Sequence, residues 1–162
     1  MLPALQNRQD EETLMYRHIL IPTDGSELAQ RAVPQALALA KAVGAKVTAL
    51  VVEKPFDAYH VRESKLLSIP KELANYNKVI KQHAGKVLKD VADAAKAAGV
   101  KCTTLQMVND RPYEAIIKAA KDKRCDLIVM SSHGRSGIAG FVLGSETNKV
   151  LTHTKIPVLV CH

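Results

Sequence analysis

Aromatic residues are scarce in this chain, 4% of the total, and that scarcity removes the platforms on which single-stranded nucleic acids usually stack. No apolar run approaches the ~20 residues that a membrane-spanning helix needs, so no membrane association is expected. Residues 1–15 are polar and mixed in charge, without the basic start and apolar centre of a secretory signal, and the expected location is the cytoplasm. There are only three cysteines, Cys102, Cys125 and Cys161. They are widely spaced, form no C-x-x-C pair, and read as buried free thiols in or beside strands. The six histidines include no H-E-x-x-H or comparable ligand spacing, so no structural metal is expected. The phosphate-binding pattern G-x-x-x-x-G-K-[ST] is absent. So is an early dinucleotide fingerprint with an acidic residue about twenty positions beyond it.

What remains is the composition of an ordinary globular domain, with 162 residues, 47% of them hydrophobic and 24% charged. Residues 1–15 read as an extension and 16–162 as one domain. The formal charge of +7 favours anionic partners. Lys71, Lys78, Lys81, Lys86, Lys89 and Lys96 are interleaved with Glu72, Asp90 and Asp93, however, which marks a solvated helix face. Nucleic acid is therefore not the expected partner.

Strand and helix periods alternate along the chain. Residues 18–21 form a short apolar run that stops at Pro22-Thr-Asp-Gly-Ser26, a strand followed by a turn. From residue 26 to 43, apolar residues recur at helical spacing up to Gly44, with Pro34 expected to kink the helix or shift its start. Residues 46–53 are a second buried strand, and 54–68 are irregular. A long amphipathic helix is expected over 70–98, stopped by Gly99. A third strand over 101–107 leads to a helix with Pro112 in its first turn, where proline is tolerated. A fourth strand over 126–130, a short helix over 145–152 and a fifth strand over 157–161 complete the chain. Strands with continuous apolar interiors, joined by helices, predict a doubly wound five-stranded parallel sheet with helices on both faces, a Rossmann-like α/β sandwich. Ligands in such sheets lie beyond the carboxyl ends of the strands where the strand order reverses. If the first and fourth strands are neighbours, the loops that follow them face each other across one crevice.

The loop after the fourth strand is punctuated by Gly134, Gly137 and Gly140 and closes on Gly144-Ser145 at a helix start. Glycines here admit close approach of backbone amides to phosphate oxygens, and a helix N-terminus attracts an anion. Arg135 can neutralise charge at the mouth, and Ser145 can either cap the helix or bond a phosphate. The plainer alternative is that the glycines only shape a long turn. Asp24 lies three residues before Glu27, so it reads equally as a ligand contact and as the cap of a capping box. His133 has no paired nucleophile or carboxylate in sequence and reads as a surface-loop residue.

Five motifs carry a more specific likeness: HILIPTDGS at 18–26, RPYEAI at 111–116, DLIVMSSHGRSG at 126–137, LGS at 143–145 and PVLV at 157–160. In this order and spacing the chain resembles the universal stress protein family, over essentially everything except the extension. The resemblance implies an adenine-nucleotide site of the pattern G-x-x-G-(nine residues)-G-[ST]. Gly134 would be the second glycine and Gly144-Ser145 the closing pair. Ser131 stands where the first glycine belongs, and Glu146 follows Ser145 where a small apolar residue is common. By the same resemblance Pro22, Thr23 and Asp24 border base and ribose, and Val52 packs on the adenine. Met130 and Ser131 extend the floor, while Gly134, Arg135, Gly137, Gly144 and Ser145 hold ribose and phosphates.

The function implied is an ATP-binding stress-response switch without strong catalysis, a homodimer paired through the strand at 157–161, acting on an unknown protein partner. Mg²⁺ would enter only through the phosphates. Two alternatives stay open. One is a slow ATPase or phosphate-transferring enzyme in which Asp24 serves the metal. The other is a dimeric scaffold of the same family that binds no ATP, the reading that Ser131 favours.

Overall fold

The computed structural model describes residues 15–57, 69–133 and 143–162. Among them run β1 (His18–Pro22), α1 (Glu27–Val43), β2 (Lys46–Glu53), α2 (Ile69–Ala98), β3 (Cys102–Val108), α3 (Pro112–Asp122), β4 (Leu127–Ser131), α4 (Ser145–His153) and β5 (Val158–Cys161). The strands form one parallel sheet in the order β3-β2-β1-β4-β5. This is the doubly wound Rossmann-like sandwich that the element pattern implies. The order reverses between β1 and β4, which are direct neighbours through Ile19↔Leu127 and Leu20↔Ile128.

Successive strand residues point to opposite faces, and both faces are covered, which explains why the central strands are apolar throughout. Ile19, Ile21, Val47, Ala49, Val51, Leu127 and Val129 pack under α1 and α2. Leu20, Leu50, Ile128 and Met130 pack with Ile116, Ala119 and Ala120 of α3 and Val150 of α4. The inner face of α1 is lined by Ala29, Ala32, Val33, Ala36, Leu37 and Ala40, side chains small enough to bring the helix close to the sheet. Pro34 lies within α1 without shifting its start, since Ser26 remains the N-cap. It is exposed, so its ring meets solvent rather than the core.

Most strand boundaries move by one residue from those expected. β1 includes Pro22 and β4 includes Ser131, which places Ser131 in the sheet rather than in the loop. Cys125 and Cys161 are buried free thiols as expected, while Cys102 is only partly buried. Burial pushes the Cys125 thiol up to about 11, which keeps it protonated and unreactive at neutral pH. In the segment 54–68, residues 54–57 have no regular structure, and the rest, like the extension 1–14, lies outside the described residues.

One polar chain crosses the buried sheet. His18 Nε2 lies 2.8 Å from Thr48 Oγ1, which lies 2.8 Å from Thr103 Oγ1. Burial, followed by the charge of Lys46, holds the His18 pKa below the ordinary imidazole value. The folded state therefore favours the neutral ring. Its contribution is intact above the unfolded pKa and is lost as pH falls from there through the lowered folded value. The melting temperature should fall between about pH 7.5 and pH 5, and the fall should be shallower in His18→Gln. Equal slopes in parallel melting series would rule His18 out as a source of the effect.

Candidate functional site

Two loops leave the carboxyl edge at the β1/β4 reversal, one after β1 and one after β4. The β1–α1 loop is held by its own side chains. Thr23 N donates to Leu50 O of β2 at 2.8 Å, which buries Thr23 at the sheet edge. Thr23 Oγ1 accepts from Gly25 N at 3.2 Å, Asp24 Oδ1 from Ser26 N at 2.9 Å, and Ser26 Oγ from Ala29 N at 3.2 Å. Ser26 is thus the N-cap of α1, which corrects the capping-box reading of Asp24. Asp24 instead fixes the turn that precedes the cap. Glu27 pairs with Arg31 at 2.9 Å rather than reaching back to the cap. Gly25 sits at φ +75°, a left-handed position that follows from the tight turn.

Of the β4–α4 loop the structure describes the base, which is closed by backbone hydrogen bonds. Ser132 N donates to Cys161 O at 2.7 Å, and Gly144 N donates to Ser132 O at 2.7 Å. Ser131 Oγ accepts from His133 N at 3.3 Å, and the buried Thr147 hydroxyl donates to Ser131 O at 2.9 Å. The first turn of α4 is therefore anchored to the last residue of β4. A Cβ on Gly144 would lie 2.8 Å from Ser132 O and 3.3 Å from His133 Cα, so only glycine lets the two ends of the loop close. Gly144 is the N-cap of α4 and brings no side-chain acceptor, and Ser145 is already inside the helix. This removes Ser145 as the cap, and Gly144 gives α4 no side-chain cap bond of the kind that Ser26 gives α1. Gly134, Arg135 and Gly137 lie outside the described residues. His133 is half-buried, with Nδ1 3.1 Å from Ser132 Oγ.

Glu146 is accounted for by α3. Its Oε2 accepts from Tyr113 N at 2.9 Å and its Oε1 from Lys149 Nζ at 2.9 Å. The cap residue of α3, Arg111, makes no side-chain cap bond, so the carboxylate of α4 caps α3 across the space between them. Lys149 Nζ lies 5.5 Å from the Tyr113 ring centre, and that ring packs on His153 with centroids 5.2 Å apart. At the opposite side of the crevice, Val52 is half-buried near the end of β2 and is in register with Met107 of β3. Both pack against the α3/α4 core. Sequence reasoning missed Met107, because only the register places it beside Val52. Met130 is buried in the same core.

The structure thus gathers Pro22, Thr23, Asp24, Val52, Ser131, Gly144 and Ser145 along the carboxyl ends of β2, β1 and β4. Among the described residues no cluster of three or more His, Cys, Asp or Glu is arranged to hold a metal. No helix among them is long and apolar enough to cross a membrane.

A model of the universal stress protein family matches residues 15–162. Universal stress protein MJ0531 of Methanocaldococcus jannaschii is 33% identical over 148 residues, 90% of this chain and 82% of that protein. The solved structure of hypothetical protein MJ0577, from the same organism, is similar with a TM-score of 0.75 at 29% identity, covering 90% of this chain and 95% of that one. A universal stress protein solved in complex with cAMP has a TM-score of 0.65 at 28% identity, covering 91% and 97%.

Proposed function

This chain belongs to the universal stress protein family, and on that premise we propose that it binds an adenine nucleotide, ATP in the family's pattern, at the β1/β4 crevice and acts as a ligand-responsive switch. What carries this reading is the pairing of a hydrogen-bonded β1–α1 loop with an α4 N-terminus whose cap residue, a glycine that admits no Cβ, makes no side-chain cap bond. A helix start at a strand-order reversal is where a phosphate gains most. The family member solved with cAMP supports the ligand class.

In this reading Pro22, Thr23 and Asp24 border base and ribose, Val52 packs on the adenine, and Met130 and Ser131 form the floor. Gly134, Arg135, Gly137, Gly144 and Ser145 take the ribose and phosphates, with Mg²⁺ held only through the phosphates. Catalysis in this reading is at most slow hydrolysis. The β5 edge, where Leu159 is 42% exposed, supports a homodimer through residues 157–161 in a cytoplasmic protein. Nucleotide would change the surface offered to an unidentified protein partner by favouring one loop arrangement over another.

Protein purified without added ligand should release adenine nucleotide on denaturation. Added ATP should raise its melting temperature by the amount that mass action requires. Nucleotide-free protein with an unmoved melting temperature rejects the reading and favours the scaffold alternative. One observation favours that alternative: the Ser131 side chain occupies the first glycine position and bonds His133 N. Ser131→Gly should tighten nucleotide binding if the hydroxymethyl group obstructs the site.

A further inference from the structure

Helices that cross between parallel strands run against them, so the amino edge of the sheet, opposite the crevice, gathers strand starts and helix ends. Cations collect there. In the order of the sheet, Lys101 precedes β3, Lys46 opens β2, Arg17 precedes β1, and Lys123 and Arg124 precede β4. All of these are exposed. Lys101 and Lys46 directly precede the register pair Cys102 and Val47, which makes them neighbours across two strands. After burial, the charge of Lys46 and then that of Lys123 hold the His18 pKa down, so the fields of cations from different strands overlap. The acidic groups of this edge are engaged. Asp126 accepts from Arg17 N at 2.8 Å and His18 N at 3.0 Å, and Asp122 pairs with Lys118.

Part of this charge serves the helices, since Lys41, Lys96 and Lys121 lie in last turns and complement the helix dipoles. That does not account for the strand-start cations, nor for Arg124. Three helices end on the same backbone motif. Gly44 N donates to Lys41 O, Gly99 N to Lys96 O and Arg124 N to Lys121 O, each followed by a bond from the next residue back to the helix. The first two left-handed residues are glycines, at φ +72° and +75°, and the third is Arg124 at φ +55°. Among the described residues it alone combines a Cβ with a positive φ, a conformation that costs stability. A cation is kept where the other two helices use glycine.

We propose that this amino edge binds the phosphate backbone of duplex nucleic acid without reading its sequence. Neighbouring strands lie about 4.8 Å apart, so Lys101, Lys46, Arg17 and Arg124 form a row roughly 15 Å long. A duplex carries one negative charge per about 1.7 Å of its axis, so such a row meets several phosphates at once. Tyr16, the aromatic residue at this edge, packs against the core. The edge therefore offers neither a stacking platform for a single strand nor the aromatic anchor on which protein interfaces centre. A phosphate backbone needs neither and is held by lysine and arginine. The expectation against nucleic acid drew on lysines spread along α2, whereas these cations come from separate strands and are brought together by the parallel register.

The test is binding of a short labelled DNA duplex of mixed sequence to the full chain, followed by fluorescence anisotropy across a salt series. Wild type should bind with a dissociation constant of about 1–100 µM near physiological salt and weaken steeply as salt rises. Lys46→Gln, Lys101→Gln and Arg124→Gly should each weaken binding several-fold and reduce the salt slope by roughly one. Lys78→Gln, exposed on the N-terminal half of α2, should change neither. Arg124→Gly separates charge from fold, because it relieves the left-handed strain. Its melting temperature should rise by about 2–4 °C while its duplex affinity falls. Absence of duplex binding by wild type, wild-type affinity in Arg124→Gly, or an equal loss in Lys78→Gln overturns the proposal. So does tighter binding of polyglutamate than of the duplex, which would assign the edge to an acidic protein. Binding to phosphatidylserine vesicles without binding to the duplex would assign it to a membrane and overturns the proposal equally.

Discussion

Gly25→Ala should lower the melting temperature more than any other single change at the crevice. Gly25 has φ +75°, and a left-handed backbone costs a residue with a Cβ about 1–2 kcal/mol. That Cβ would also stand 2.5 Å from Val87 Cγ2 and 3.3 Å from His83 Nε2. Val87 is buried in the core beneath α1 and α2, so overpacking adds about 1–3 kcal/mol. Together these predict about 2–5 kcal/mol, and for a domain of this size a melting temperature lower by on the order of 10 °C. Gly85→Ala supplies the control. Gly85 lies in α2 with nothing within 4 Å of an added Cβ, so the same chemical change should stabilise by roughly 0.5–1 kcal/mol through helix propensity. Opposite signs in urea melts of the two variants are the expected result. A Gly25→Ala protein as stable as wild type would mean that the loop can abandon its left-handed turn. The Thr23 and Asp24 bonds that organise that edge would then not depend on it.

The same turn shows how far the sequence could be read. Strand and helix types followed from periodicity, and the parallel sandwich followed from their alternation. The helix start was ambiguous because Asp24 and Ser26 are both capping residues, and Glu27 stands at the right distance from Asp24. In the structure Gly25 takes a positive φ and Ser26 caps a helix that starts at Glu27, a conformational fact that residue spacing does not carry. The small polar side chain of Ser131 argues for a loop, yet the residue is the last of β4. In the sheet its backbone carbonyl accepts from the Thr147 hydroxyl, a contact between residues sixteen apart that periodicity cannot show. Glu146 was visible only as a departure from a pattern. Its partner, Tyr113 N, is 33 residues away and is reached only because α3 and α4 share one face of the sheet. Met107 was hidden for a similar reason: a strand's composition says that it pairs, and the register decides with which residue.

Gly144→Ala should separate nucleotide binding from stability at the other side of the crevice. Unlike Gly25, Gly144 has φ −56° and ψ 144°, which any residue adopts, so the backbone conformation itself costs nothing. The whole effect arises from close approach. An added Cβ meets the Ser132 carbonyl oxygen at 2.8 Å, the same atom that accepts from Gly144 N at 2.7 Å. Both neighbours are backbone, so relief requires the loop base to open. Opening it weakens that hydrogen bond and tilts the first turn of α4 away from Ser131. A strain of about 1–3 kcal/mol is expected in unfolding measurements. Nucleotide affinity should fall by about ten-fold or more, since ten-fold corresponds to only ~1.4 kcal/mol and the α4 amides must hold a fixed direction to act on a phosphate. Ser145→Ala leaves that backbone geometry alone and removes one hydroxyl, so its loss should be smaller, within several-fold for a single neutral hydrogen bond of about 0.5–1.5 kcal/mol. The order of the two losses decides what the site is made of. A larger loss in Gly144→Ala means that the phosphate is held by backbone amides that the glycine positions. Wild-type affinity in Gly144→Ala with binding abolished in Ser145→Ala would transfer that role to the serine side chain and sink the helix-terminus account.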